Sequence, residues 1–202
     1  MEIFSNLSEL REQLNDARVG REIIRRQLES EKILLAEKQS FLSKCEKARV
    51  IIQHVAEKVQ KTLEYRISTM VTSALTAVLP NPEEFQLEFK QIRNKTECFP
   101  WFVKDGKKSR PIYSSGGGAL DIASFALRCA IWSIKKTRPV FVLDEPFKFV
   151  WIGYQDKCST MVKRITEKLG IQVIMISHLP KINVAADNTI NVDKQGDITV
   201  CS

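Results

Sequence analysis

The sequence predicts an α/β fold carried behind a long N-terminal helix, and three observations predict it. Residues 5–79 hold no proline and one glycine, Gly20, and apolar residues recur through them at helical spacing. Val140 to Leu143 and Ile171 to Ile176 are short apolar runs of strand length with a helix-like segment between them; the first, rich in β-formers, suits a strand buried on both faces. Each run ends in residues able to do chemistry, Asp144-Glu145 and Ser177-His178, and α/β sheets bind ligands beyond the carboxyl ends of their strands.

At 202 residues the chain allows one globular domain plus an extension. A net charge of +7 points toward anionic partners such as nucleic acid, a mildly basic soluble protein being an equal reading. The five cysteines, Cys45, Cys98, Cys129, Cys158 and Cys201, form no Cys-x-x-Cys pair. Free thiols in a reducing cytoplasm are expected, and a cysteine metal site is not. Met1-Glu2-Ile3-Phe4-Ser5 has no basic region leading into an apolar core, so no signal peptide is expected, and Met1 ahead of a cappable helix suggests a natural start. No apolar run reaches the ~20 residues of a membrane span.

The helix can begin at Ser5 or Ser8, with Glu9 and Glu12 favouring its dipole. In a heptad reading, position a is Leu7, Leu14, Arg21, Leu28, Leu35 and Leu42; position d is Leu10, Ala17, Ile24, Glu31, Lys38 and Cys45. This is a coiled-coil seam with a broken middle; a single amphipathic helix on a globular body is the alternative. From Cys45 the apolar set widens through Ile51, Val55, Val59, Leu63, Ile67, Val71 and Leu75, as a helix entering a body requires. Leu79-Pro80-Asn81-Pro82 ends it. His54 is read as a helix-surface residue.

Phe85 to Phe89 alternates as a half-exposed strand, Phe99 to Val103 forms a second, and Asp105-Gly106 is a turn signal. Lys104, Lys107, Lys108 and Arg110 cluster there, as a solvated hairpin tip or a phosphate contact. Asp121 to Lys136 is a helix with a buried apolar face, on which Arg128 faces nucleotide, an opposing subunit or a surface ion pair. Gln155 to Leu169 is another, capped by Gly170. Ile190 to Val192 and Asp197 to Val200 flank Lys194-Gln195-Gly196 as a closing hairpin.

Ser114-Ser115-Gly116-Gly117-Gly118 precedes the helix at Asp121. Glycines permit close approach of backbone to a ligand, and N–H groups at a helix start favour an anion such as phosphate. An Asp at a strand end can hold Mg²⁺, and a neighbouring Glu can orient or deprotonate an attacking water.

In this order, Gly run, Asp144-Glu145 and His178, the chain from about Phe85 onward resembles the C-terminal lobe of ABC-type ATPase heads, in their SMC and SbcC-like DNA-repair branch. By that resemblance Ser115, Gly116 and Gly117, with Gly118 beside them, match the signature motif that touches the γ-phosphate of ATP on an opposing head. Asp144 matches the Walker B metal carboxylate, Glu145 the catalytic glutamate and His178 the switch histidine that senses γ-phosphate. The implied organisation is a coiled-coil helix over 1–50, a helix entering the head over 51–82, and the C-terminal lobe over 83–202.

The chain departs from the family in three places. Gly118 stands where Glu or Gln is common, and Pro146 to Trp151 replaces the usual small-residue-Leu-Asp turn. Gly-x4-Gly-Lys-Ser/Thr occurs nowhere; Gly106-Lys107-Lys108 lacks the upstream glycine and the hydroxyl. The resemblance therefore implies half of a split, cytoplasmic ATPase, of phage type, acting in DNA repair or recombination. A P-loop chain would complete its Mg²⁺ and ATP site, and a nuclease subunit and DNA would be further partners. Two alternatives stand beside it: a non-catalytic half-head mimic that docks on an intact SMC-like ATPase, and an ATP-independent DNA-binding coiled-coil dimer.

Overall fold

A computed structural model of the chain describes residues 2–93, 95–114, 116–195 and 198–201. Two compact units are present, Met1–Lys58 and Val59–Ser202. α1, Glu2–Val78, contributes to both.

The first unit is helix alone. Leu10, Leu14, Leu28, Leu35 and Leu42, the described leucines of the heptad seam, are all exposed. A lone helix of this length has no core of its own and depends on a partner helix for stability.

The second unit has a core. α1 places Val71, Leu75 and Val78 in it, then ends before Pro80, with Leu79 N–H still donating to Leu75 O at 2.9 Å. β1 (Glu84–Ile92), β2 (Lys95–Lys104) and β3 (Lys107–Ser109) form an antiparallel sheet in that order. Asp105 and Gly106, both at positive φ, make the β2–β3 turn as expected. Phe85 and Phe102 face each other across the β1–β2 register and meet edge to face in the core.

β1 is an edge strand, and α1 covers its open side. Phe85, Leu87 and Phe89 donate their N–H groups to Thr72 Oγ1 (2.9 Å), Ser68 Oγ (2.9 Å) and Glu64 Oε1 (2.7 Å). Four helical residues rise about 6 Å and two strand residues nearly 7 Å, so side chains at i, i+4 and i+8 can track alternate strand amides. Backbone donors that would otherwise need water are satisfied.

A short helix, α2 (Pro111–Ser114), leads to α3 (Gly117–Ile134), which starts a turn earlier than expected. By length and mean hydropathy α3 matches a membrane-crossing helix. Its Ile122, Phe125, Ala126, Cys129 and Ala130 instead lie in the core. β4 (Val140–Asp144) pairs in parallel with β5 (Gln172–Ile176). A 3-10 turn (Ile152–Tyr154) and α4 (Gln155–Leu169) connect them, with Gly170 in the left-handed cap.

Here one expectation is corrected. β4, expected to be buried on both faces, is buried on one, and so is β5. Phe141, Leu143, Val173 and Met175 face the core, whereas Val142 (70% exposed), Ile174 and Ile176 (60%) point to solvent. Period-2 side-chain alternation gives each strand two faces, and the described residues supply cover for one.

β6 (Val192–Gln195) and β7 (Ile198–Cys201) form the closing hairpin. Lys194 and Gln195, expected in its turn, belong to β6; Gly196, expected in the turn, and Asp197, expected in the second strand, lie outside the described residues.

Candidate functional site

Asp144 ends β4 opposite Ile176, which ends β5, so the residues that follow both strands emerge together. Glu145 N–H still extends the pairing, donating to Ile176 O at 2.9 Å. Its φ of 45° is left-handed, a conformation that costs a non-glycine residue about 1–2 kcal/mol.

Both oxygens of the Glu145 carboxylate are engaged. Oε1 accepts from His178 N–H at 3.0 Å and lies 2.7 Å from His178 Nδ1; Oε2 accepts from Ser177 Oγ at 3.3 Å. The His178 side-chain hydrogen bond, chiefly, holds Glu145 below the ordinary glutamate range. Anchoring through Nδ1 leaves Nε2 as the ring's outward polar atom, and the histidine is exposed.

Asp144 is exposed, and among the described residues its carboxylate has no hydrogen bond or ion pair. Those residues contain no cluster of three His, Cys, Asp or Glu able to hold a metal. Mg²⁺ keeps waters and commonly binds through one or two carboxylates plus substrate phosphates. Asp144 fits a Mg²⁺ shared with phosphate oxygens, and the donor set does not fit a self-contained site.

The glycines divide by what surrounds them. Gly116 is the α3 N-cap residue, and a Cβ there would meet nothing within 4 Å. A Cβ on Gly117 would lie 2.7 Å from Phe149 Cβ, and one on Gly118 would lie 3.0 Å from Phe149 O. Gly117 and Gly118 thus make room for Phe149, and the space beside Gly116 is open. Ser115 lies outside the described residues.

Phe149 is also held by its N–H, which donates to Asp121 Oδ2 at 2.8 Å. Burial raises the Asp121 carboxyl, and this hydrogen bond partly offsets it. Asp121 and Phe149 therefore tie the α3 start to the segment after Glu145. Sequence reading missed that tie; an acid in the first turns of a helix is the ordinary signal for a capping role, with no sign of a partner 28 residues away.

No family model matches the chain. Residues covering 79% of it are 27% identical, over 165 positions, to the DNA double-strand break repair Rad50 ATPase of Sulfurisphaera tokodaii, and span 18% of that relative's length. The Smc head domain with a coiled coil and joint derived from Pyrococcus yayanosii matches with TM-score 0.61 and 17% identity, over 85% of this chain and 32% of that one. A chain solved in work on ATP-driven dimerization and DNA stimulated activation of SMC ATPases matches with TM-score 0.54 and 18% identity, over 72% of this chain and 87% of that one. The fold is α/β, that of the C-terminal lobe of an SMC/Rad50-like head preceded by its coiled-coil helix.

Proposed function

We propose that the chain is the C-terminal half of a split SMC/Rad50-like ATPase head that acts in DNA repair or recombination and completes a Mg-ATP site with a P-loop chain. The β4–β5 sheet carries this reading. Parallel sheets are covered on both faces, yet Val142, Ile174 and Ile176 form an exposed apolar face on strands that end in Asp144-Glu145 and Ser177-His178. A second chain supplying further strands and a helix would cover that face and bring a phosphate cradle to the acidic pair. Similarity to a Rad50 ATPase, over 18% of its length, supports an SMC/Rad50-like ATPase-related role.

In this reading Asp144 would hold Mg²⁺, which would supply Lewis-acid polarisation of the transferred phosphoryl group. Glu145 orients the attacking water and takes its proton. Its ties to Ser177 and His178 describe a resting state, because both carboxylate oxygens are occupied. Release of His178 toward the γ-phosphate through Nε2 frees Oε1 for the water. The open Gly116 and the first N–H groups of α3 face the nucleotide of a second head.

The test is association. Val142→Glu places a charge on the exposed face without disturbing the buried one. It should abolish binding to a P-loop chain encoded in the same genome, measured by analytical ultracentrifugation, while circular dichroism stays unchanged. Undiminished binding by this variant would sink the assignment.

One observation favours a second reading, an interaction protein that docks on an intact head. Phe149 and Trp151 are exposed but fixed: a Cβ on Gly153 would sit 2.0 Å from the Trp151 ring, which also meets Tyr154 edge to face at 5.2 Å. Rigid exposed aromatics are typical anchors of protein interfaces. Capture of an intact SMC-like ATPase, with no P-loop half required, would favour it.

A further inference from the structure

Helix α3 has a second, mainly apolar stripe beside its core face, of which Leu127 still packs against the core. Leu120, Ser124, Leu127, Ile131 and Ile134 fall within about 40° of one line, given 3.6 residues per turn. Ile131 is 52% exposed and Ile134 47%. From Leu120 to Ile134 the stripe is about 21 Å long.

At its N-terminal end the stripe becomes one wall of a cavity of about 430 Å³. Phe99 and Trp101 of β2 form the opposite wall, and Pro111 and Ile112 of α2 close the end. The floor is aromatic and aliphatic, and Ile112 beside its mouth is exposed. The result is a half-open pocket at one end of the stripe, with the exposed Ile131 and Ile134 continuing it as an apolar track.

Its surroundings are cationic. Lys104 and Lys107 are exposed at the pocket end, Arg128 stands beside Leu127, and exposed Lys135, Lys136 and Arg138 follow the far end. The only acidic residue on α3 is Asp121, which is engaged with Phe149 N–H, and Asp105 is the only one in the β2–β3 turn; on the β2 side Glu97 is exposed, and Glu88, which accepts from Trp101 Nε1, is itself paired with Lys90 and Lys108.

We infer that this groove seats an amphipathic, acidic helix of about four turns from a partner protein. Helix-in-groove binding reads anchors at i, i+3, i+4 and i+7 along such a track. The pocket takes one large apolar anchor, and acidic residues on the flanks of the incoming helix meet the cations at both ends. A second copy of this groove would bring like charges together. A nucleic acid would satisfy the cations and leave the apolar floor wet, and a small ligand would fill the pocket and leave the track to Ile134 uncovered. The inference stands apart from the ATPase reading, because the groove lies on neither the β4–β5 face nor the acidic pair.

Fluorescence anisotropy with two labelled 16-residue peptides tests it on the full chain. One peptide carries Leu and Phe on one helical face and Glu elsewhere; the other keeps the apolar face and replaces Glu by Lys. The acidic peptide should bind saturably, at least tenfold more weakly to Ile131→Glu and to Lys136→Glu, and unchanged to Val142→Glu. The lysine peptide should not bind. Ile131 and Lys136 are exposed, so both variants keep the fold. Absence of saturable binding, equal binding of the two peptides, or indifference to Ile131→Glu would overturn the inference. Loss with Val142→Glu alone would move the peptide to the β4–β5 face. Displacement by a single-stranded oligonucleotide that itself ignores Ile131→Glu would assign the cations to nucleic acid.

Discussion

Glu145 Oε1 holds His178 twice, through its backbone N–H and its Nδ1. The turn after β5 is therefore fixed by the residue after β4, and the proposed base and sensor form one unit. Because these bonds favour the ionised carboxylate, the folded pKa lies below the ordinary 4.5. The tie is present above that value and is lost as pH falls through the folded pKa. The His178 amide resonance should shift with a midpoint below 4.5 in the wild type, and the transition should vanish in Glu145→Gln. A midpoint above 4.5 would contradict the geometry.

Gly116 and Gly117 should respond differently to alanine. At Gly117 the new methyl meets Phe149 Cβ at 2.7 Å, an overpacking that typically costs about 1–3 kcal/mol. Gly116 has open space and ordinary backbone angles, and only the N-cap preference is lost, about 0.5 kcal/mol or a little more. Urea unfolding of both variants checks this. Equal losses would mean that Phe149 does not pack on the α3 start.

Thr72 both accepts from Phe85 N–H and lies 3.3 Å from Phe85 O as donor. Thr72→Val keeps the shape and strands that amide beside a buried phenylalanine. The expected cost is about 1–3 kcal/mol by thermal unfolding. Thr76→Val, whose hydroxyl bonds only within its own helix, should cost far less.

The thiols should separate into classes. Burial pushes Cys129 and Cys158 up to about 12, whereas Cys45, Cys98 and Cys201 are exposed. Thiolate is the reactive form. Native protein at pH 8 should modify rapidly at Cys45 and Cys201, more slowly at Cys98, whose thiol burial also raises, and at Cys129 and Cys158 only on unfolding.

Much of this fold was legible because local signals coincided with elements. Pro80 marks the end of α1, Asp105-Gly106 the β2–β3 turn and Gly170 the α4 cap. The acidic pair and His178 could be found because strand ends collect functional groups, and the parallel register brings them together. Other features depend on distant partners that no local pattern records. Val142 and Ile174 look like any buried strand residues, and exposure follows only from which elements lie nearby. Gly117 and Gly118 look like a phosphate turn, and only the fold shows Phe149 against them. Ser68 and Thr72 look like ordinary helix residues until β1 is laid alongside.

The most direct test of the central claim is Mg-ATP binding and hydrolysis by the purified chain alone, by the P-loop chain alone, and by their mixture. The account predicts turnover in the mixture only, with Glu145→Gln retaining ATP binding and trapping the assembled complex. Hydrolysis by this chain alone, or association without any ATP binding in the mixture, would contradict it.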